Sequence, residues 1–262
     1  MKKQIIIIAF FTLVCSCALN GYQKFYKPYL DIKTLPDAVL LKPEQEPQIL
    51  GTDNFERDKK ILRAKHYMPV GFSSFNGAYE GEHNIKNQAR DLGATIVLIN
   101  AKYTHTLTTT SPLFLPTSTT THHSGSVMSS GALGTYQGTS TSYGTTVIPI
   151  TSQEMRYDQT AMFFVKLDEK PKFGVVSFDL SPELKAKTER NMGALIYVVI
   201  EDSPAFYSNI LEGDILIQID DIVIINAQQA RDVMVSYDTS KRKSVFKIIR
   251  NGKEHDITLN FR

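Results

Sequence analysis

Apolar residues follow helical spacing and then strand spacing within residues 51–168. From residue 85 to residue 92 they recur at i, i+4 and i+7, and Gly93 follows directly, which predicts a helix that ends at this glycine. Residues 94–99 are a continuous apolar run, which is typical of a strand buried on both faces.

Three further segments extend this pattern. Residues 53–56 have the Asp-x-x-Glu spacing of a helix start, so a second helix is expected to begin here. Residues 68–75 favour a strand that ends at the turn signal Asn76-Gly77, and residues 160–167 favour a strand that closes the domain. The order helix, strand, helix, strand predicts a small α/β layer domain over 51–168, within a chain of the α+β class.

An uncharged, low-complexity arm interrupts this domain at residues 103–153, which contain no Lys, Arg, Asp or Glu. Ser and Thr make up 24 of the 49 residues from 104 to 152. Such a tract buries too little apolar surface to form a core, so it is expected to be mobile or a long β-ribbon inserted into the domain.

The arm also holds half of the six histidines of the chain, His105, His122 and His123. They have no carboxylate or thiol near them in sequence, so a metal site is disfavoured. A surface for glycan or protein contact and a plain solvated loop remain open, and the loop is favoured.

The N-terminus is typical of an export signal. Two lysines precede the apolar run 5–14, which as a helix spans about 15 Å, against roughly 30 Å of bilayer hydrocarbon. A cleavable leader over 1–16 therefore fits better than a permanent transmembrane helix. Residues 14–17, Val-Cys-Ser-Cys, resemble the bacterial lipobox, which implies lipidation of Cys17. The alternative is an ordinary secreted protein in which both cysteines belong to the leader.

A tether is expected over residues 17–50, because Pro28, Pro36, Pro43 and Pro47 resist helix and favour extended chain. By resemblance to enterobacterial lipoproteins, Ala18 after the lipidated cysteine implies sorting to the outer membrane.

Residues 170–262 have a different pattern, with five strand runs and two short helices. Ser203-Pro204 is a helix start, Gly213 allows a turn into a strand, and Asn251-Gly252 is a hairpin signal. In this order the motifs resemble the PDZ domain, of the circularly permuted kind that follows the protease domain in HtrA-type periplasmic serine proteases. The resemblance implies a partly open barrel of five to six strands with two helices.

The same resemblance implies a peptide-binding groove. In the family, a hydrophobic-Gly-hydrophobic loop holds a partner's C-terminal carboxylate, and the partner's chain pairs with the adjoining strand. Two turns depart from the family's pattern, Ser208-Asn209 and Asp220-Asp221, and neither touches the groove. The implied peptide-binding residues are Phe173, Gly174, Val175, Val176, Ser177, Ala227, Ala230 and Met234. For Phe173, Val175 and Met234 a role in the core is an equally good explanation.

Composition excludes several classes of protein. With 42% hydrophobic residues, 21% charged residues and a net charge of +2, the chain fits neither a polytopic membrane protein nor a disordered chain, and it lacks the basic excess of nucleic-acid binders. It contains no Gly-Asn-Ser-Gly-Gly or Gly-x-Ser-x-Gly motif, no P-loop and no dinucleotide fingerprint. No enzymatic activity, cofactor or metal is therefore expected.

The sequence thus predicts a lipid-anchored protein of the cell envelope that binds protein C-termini or extended peptides through its PDZ module. The expected location is the outer membrane, facing the periplasm or the surface, and the expected role is that of a non-enzymatic adaptor. The alternative is an envelope hydrolase or a regulator of a periplasmic protease.

Overall fold

The computed structural model describes residues 19–261, which form twelve strands in two sheets, six α-helices and two 3-10 turns. The helices are α1 Gly21–Lys24, α2 Phe55–Ala64, α3 Glu82–Leu92, α4 Pro182–Thr188, α5 Pro204–Tyr207 and α6 Ala227–Ser236. The strands are β1 Tyr26–Pro28, β2 Ala38–Val39, β3 Gln48–Gly51, β4 Tyr67–Ala78, β5 Ile96–Ser129, β6 Ala132–Leu167, β7 Val175–Asp179, β8 Ala194–Val199, β9 Ile215–Ile219, β10 Ile222–Val223, β11 Lys243–Arg250 and β12 Lys253–Asn260. This confirms the predicted α+β class.

These residues divide into two compact units. The first contains residues 19–76, 80–102 and 158–261, and the second contains residues 77–79 and 103–157. Cys17 and the predicted leader lie outside the described residues.

The N-terminal sheet of the first unit is covered by a different helix on each face. Its strand order is β1-β4-β6-β5-β3, with β2 on β6, and β3 runs parallel to β5. Phe163 of β6 packs in the cluster that contains Ile85 of α3, whereas Phe164 packs in the cluster that contains Leu62 of α2. Because successive strand residues face opposite sides, the continuous apolar runs of β5 and β6 fill both clusters. The predicted α/β layer is therefore present.

Some helix and strand ends in this layer lie where the sequence predicted them, and others do not. α3 ends at Gly93, which has φ +67°, as predicted. The N-cap of α2 is Asn54 rather than Asp53, and its side chain accepts a hydrogen bond from Arg57 N at 3.0 Å. The turn expected at Asn76-Gly77 is corrected, because β4 continues to Ala78. Asn76 Nδ2 donates across the sheet to Asp158 Oδ1 at 2.9 Å, which helps the strand pairing to continue.

The predicted tether over 17–50 is corrected for its described part. α1, β1, β2 and β3 all lie within residues 21–51 and pack against or pair with the N-terminal sheet. Tyr22 is only 2% exposed, and its ring meets that of Phe75 edge-on at 5.1 Å. Proline is compatible with this packing at one position at least. Pro28 lies at the sheet edge opposite Gly71, where a missing N–H is tolerated.

The second unit is a two-stranded ribbon, which decides between the two structures that the sequence left open for the arm. It consists mainly of the outer parts of β5, 34 residues long, and β6, 36 residues long. Ser130 and Gly131 join them with φ +52° and +87°, as a type I′ hairpin turn requires.

The C-terminal sheet has the strand order β12-β11-β9-β8-β7, with β10 on β9, and its neighbouring strands are antiparallel. The six strands agree with the prediction, but the described residues 170–261 contain three α-helices rather than two. The missed helix is α4, which starts with Ser181 as N-cap and Pro182 in the first turn. Ser203-Pro204 starts α5 in the same way, so this signal was present in the sequence.

Helix α2 also contacts the C-terminal sheet. Lys60 Nζ lies 4.1 Å from the ring centroid of Tyr197 in β8, and the Tyr197 hydroxyl donates to Glu56 at 3.1 Å. Glu201 N donates to the carbonyl oxygen of Ala64 at 2.8 Å. These contacts explain why both sheets belong to one compact unit.

Replacement of Tyr22 tests whether the segment before residue 51 belongs to the core. Tyr22→Ala is expected to lower the free energy of unfolding by about 3–5 kcal/mol, as for other buried aromatic residues, in urea denaturation. Leu19→Ala is the control, because Leu19 is 67% exposed. Equal stabilities for the two variants would support a tether instead.

Candidate peptide-binding groove

The loop before β7 is anchored by an aromatic cluster. Phe173 is buried, and its ring stacks on Phe246 at 5.3 Å. The rings of Tyr237 and Phe261 meet it edge-on at 5.1 and 5.0 Å. The Phe173 side chain is therefore a core group, one of the two roles left open by the sequence, and it fixes the start of the loop.

Gly174 adopts a conformation that only glycine fits well. Its φ is +85°, and a Cβ at this position would lie 2.0 Å from both Cβ and Oγ of Ser203. Ser203 cannot easily move, because its Oγ donates to Ile200 O at 2.6 Å and accepts from Phe206 N at 3.2 Å. The close approach to Ser203 thus selects glycine, in addition to the left-handed backbone.

Hydrogen bonds to the loop carbonyls set the direction of the loop amides. Phe173 O accepts from Ala205 N at 2.9 Å, and Gly174 O accepts from Ile200 N at 2.8 Å. In a planar trans peptide the N–H points opposite to the preceding C=O. The N–H of Gly174 therefore points away from α5, and the N–H of Val175 points away from β8, toward the open edge of β7.

That edge faces helix α6 across a groove. β7 is the last strand of its sheet, with β8 as its neighbour. At the far end of the groove, Ala227 N at the start of α6 donates to Asp179 Oδ1 at the end of β7, at 2.8 Å. This bond fixes the spacing between strand and helix at one end.

A cavity of about 260 Å³ lies at the loop end of the groove. Of the eight predicted site residues, four line it: Phe173, Gly174, Val175 and Met234. Val176 and Ser177 continue β7 as predicted. Ala227 and Ala230 are buried in the core cluster rather than in the cavity wall, because the inner face of α6 packs on the sheet.

Basic residues near the cavity were missed by the sequence reasoning. Lys172 and Arg231 line it, and Lys172 Nζ donates to Val235 O at 3.0 Å. Burial and the positive charge of Arg231 hold the pKa of Arg63, in α2, below its usual value. A signal existed in the sequence, since Lys172 directly precedes the loop and Arg231 lies four residues after Ala227 on α6. Lys172 and Arg231, which line the cavity, together favour an anionic group at the loop.

Asp220 lies in one of the two turns that depart from the family's pattern, and it supports the aromatic cluster around Phe173. It has φ +49°, and its carboxylate accepts hydrogen bonds from the Tyr237 hydroxyl at 2.6 Å and from Val245 N at 2.7 Å. Burial raises the pKa of Asp220, but these bonds and one from Ser244 outweigh it, so the pKa is lowered. Asp220 thereby positions the Tyr237 ring against Phe173.

Residues 165–261 match the family model described as a PDZ domain, so this part of the chain is a PDZ domain. PDZ domains bind peptides and mediate protein–protein interaction. The match starts inside β6, whereas the C-terminal sheet starts at β7. No curated protein matches the chain.

Several solved structures align with parts of this chain at low sequence identity. The HtrA3 PDZ domain bound to a phage-derived ligand (FGRWV) is 14% identical with a TM-score of 0.30, over 34% of this chain and 83% of that one. The HtrA-type protease AlgW with decapeptide is 20% identical with a TM-score of 0.30, over 38% of this chain and 37% of that one. A PDZ domain protein from Parabacteroides distasonis is 8% identical with a TM-score of 0.20, over 86% of this chain and 70% of that one. The assignment of residues 165–261 as a PDZ domain rests on the family match.

Residues 19–261 contain neither a metal-binding cluster nor a membrane-spanning helix. In these residues no three His, Cys, Asp or Glu side chains lie close enough together to hold a metal ion. None of the helices in the same range is both long and apolar enough to cross a membrane.

A pair of glycine substitutions tests the fit of the loop. Gly252→Ala is the control, because Gly252 has φ +76° but open space around its Cα. This change is expected to cost about 1–2 kcal/mol, from backbone strain alone. Gly174→Ala adds the clash with Ser203 and is expected to cost at least about 1–3 kcal/mol more, measured by urea denaturation. Equal losses would mean that the contact with Ser203 is unimportant.

Proposed function

We propose that this chain is a non-enzymatic adaptor of the cell envelope, anchored by a lipid at Cys17, whose PDZ groove captures the C-terminus of a partner protein. The observation that carries the binding proposal is the direction of the loop amides: Gly174 N–H points away from α5, and Val175 N–H points toward the open edge of β7. A carboxylate placed there accepts two backbone hydrogen bonds, and the peptide behind it adds to the sheet as a further strand.

The surroundings of the loop support a free C-terminus as the ligand. Lys172 and Arg231, which line the cavity, contribute positive charge, which favours the terminal carboxylate. The cavity of about 260 Å³ beside Met234 has room for one apolar side chain, and the flexible thioether of Met adapts to its shape. The expected ligand therefore ends in an apolar residue with a free carboxylate.

Peptide titration tests this binding mode. Fluorescent peptides ending in an apolar residue, as free acids and as C-terminal amides, are titrated against the full chain by anisotropy. The amide is expected to bind at least about tenfold more weakly, because it loses the charge that the loop amides and cations favour. Equal binding of both forms would contradict the carboxylate site.

A groove variant locates the bound peptide. Met234→Glu places a negative charge in the cavity and is expected to weaken binding of the acid peptide by at least about tenfold. Val223→Glu in β10, where Val223 is 53% exposed, is the matched control and should bind as the wild type does. Circular dichroism establishes that both variants fold. Unchanged binding by a folded Met234→Glu variant would place the peptide elsewhere.

The anchor is tested by mass spectrometry of the chain produced in a bacterium that processes lipoproteins. Cys17→Ser is expected to abolish the acyl mass increment and to leave the leader uncleaved. Cys15→Ser is the control, because Cys15 occupies the variable position of the lipobox and should not affect processing. Normal processing of the Cys17→Ser chain would favour an ordinary secreted protein.

A further inference from the structure

The ribbon of the second unit has two open edges. β3 pairs with residues 96–99 of β5 only, and β4, with 12 residues, reaches at most 12 of the 36 residues of β6. Over 105–129 and 132–153, therefore, each strand has the other as its sole strand partner among the described residues. Alternate N–H and C=O groups of a strand point to each side, so each edge is a template for another strand.

These edges lack the protection found elsewhere in the chain. β12, an outer strand of the C-terminal sheet, carries Lys253, Glu254 and Asp256, and charged side chains on an edge strand oppose pairing with a second chain. Residues 103–153 contain no such charge. Pro112 and Pro116 remove donors from β5, but residues 117–129 contain no proline.

The composition of residues 117–129 suits pairing with an identical strand. Two copies of an uncharged strand meet without like-charge repulsion, whereas two copies of a charged edge do not. Thr side chains already contact each other across the ribbon, with Thr120 Oγ1 3.2 Å from Thr141 Oγ1. Thr also has a high strand propensity, and threonine pairs across strands are favourable.

The ribbon also lacks the strands that an isolated sheet needs. A two-stranded hairpin is marginal in water, and three or more strands are required for independent stability. Large apolar side chains on it remain exposed, with Met128 at 76% and Leu133 at 71%. Pairing of two ribbons supplies four strands and gives such side chains new neighbours on the same face.

We propose that two copies of this chain associate through residues 117–129 of β5. The two strands pair antiparallel about a two-fold axis, which makes the same segment of each copy the interface. The two ribbons then form one four-stranded sheet. This association is independent of the peptide groove.

Charge placed on this edge tests the proposal. Thr119→Lys puts a charge in the pairing segment, and the register set by Thr120 and Thr141 places Ser142 opposite Thr119. The double variant Thr119→Lys with Ser142→Glu gives the lysine a partner across the ribbon, so the ribbon is preserved if the single variant disturbs it. Thr258→Lys is the control, because it adds the same charge to the exposed face of β12, which is already charged.

The mass of the full chain is measured by sedimentation in one mild detergent, so that the N-terminal segment contributes equally to every variant. The wild type and Thr258→Lys are expected to form dimers, at low and at high salt alike. Both Thr119→Lys variants are expected to dimerise at least about tenfold more weakly. A wild type that stays monomeric, a dimer that salt dissociates, or Thr119→Lys variants that dimerise as tightly as the wild type would each overturn the proposal.

Discussion

The proposed binding site depends on the packing of one buried phenylalanine ring. Phe173 is held by Phe246, Phe261 and Tyr237, and Tyr237 is in turn held by the carboxylate of Asp220. These contacts, with the hydrogen bonds to the next two carbonyls, fix the loop before any peptide arrives. A preformed loop loses little conformational entropy on binding, so more of the interaction energy contributes to affinity.

A single strand, β6, serves two purposes because its composition changes along its length. Its inner end, residues 161–165, is buried on both faces between α2 and α3. Its outer end belongs to the ribbon, where residues from 132 to 153 carry no charge and few large apolar side chains are covered. The inner end of β6 lies between β4 and β5, whereas the outer end pairs, among the described residues, with β5 alone. Both the side chains and the number of neighbouring strands therefore distinguish the core part of β6 from the exposed part.

The elements predicted best are those whose signal is local. The helical spacing before Gly93 sufficed for the end of α3, because a left-handed glycine terminates a helix by its own backbone. The turn expected at Asn76-Gly77 was wrong because pairing with β6 carries the strand through it. The tether was wrong for residues 21–50 for a similar reason. Tyr22 is buried beside Phe75, and Pro28 lies at a sheet edge where a missing N–H is tolerated.

In the candidate site, too, the features with a local signal were predicted and those that depend on distant contacts were not. The family resemblance, carried by local motifs, pointed to the loop at Gly174, and its positive φ fits that expectation. The sequence did not show that Ala227 and Ala230 are core residues, or that Arg63 of a distant helix lies near Arg231, since both depend on how α6 and α2 pack.

By itself, then, the sequence determined the fold class, the glycine loop and the uncharged composition of the arm, because these follow from residue type and spacing along the chain. Only the tertiary structure decided where the first thirty described residues pack, which side chains line the cavity and which strand edges stay open. Those features depend on contacts between residues far apart in sequence, and local pattern carries no information about such contacts.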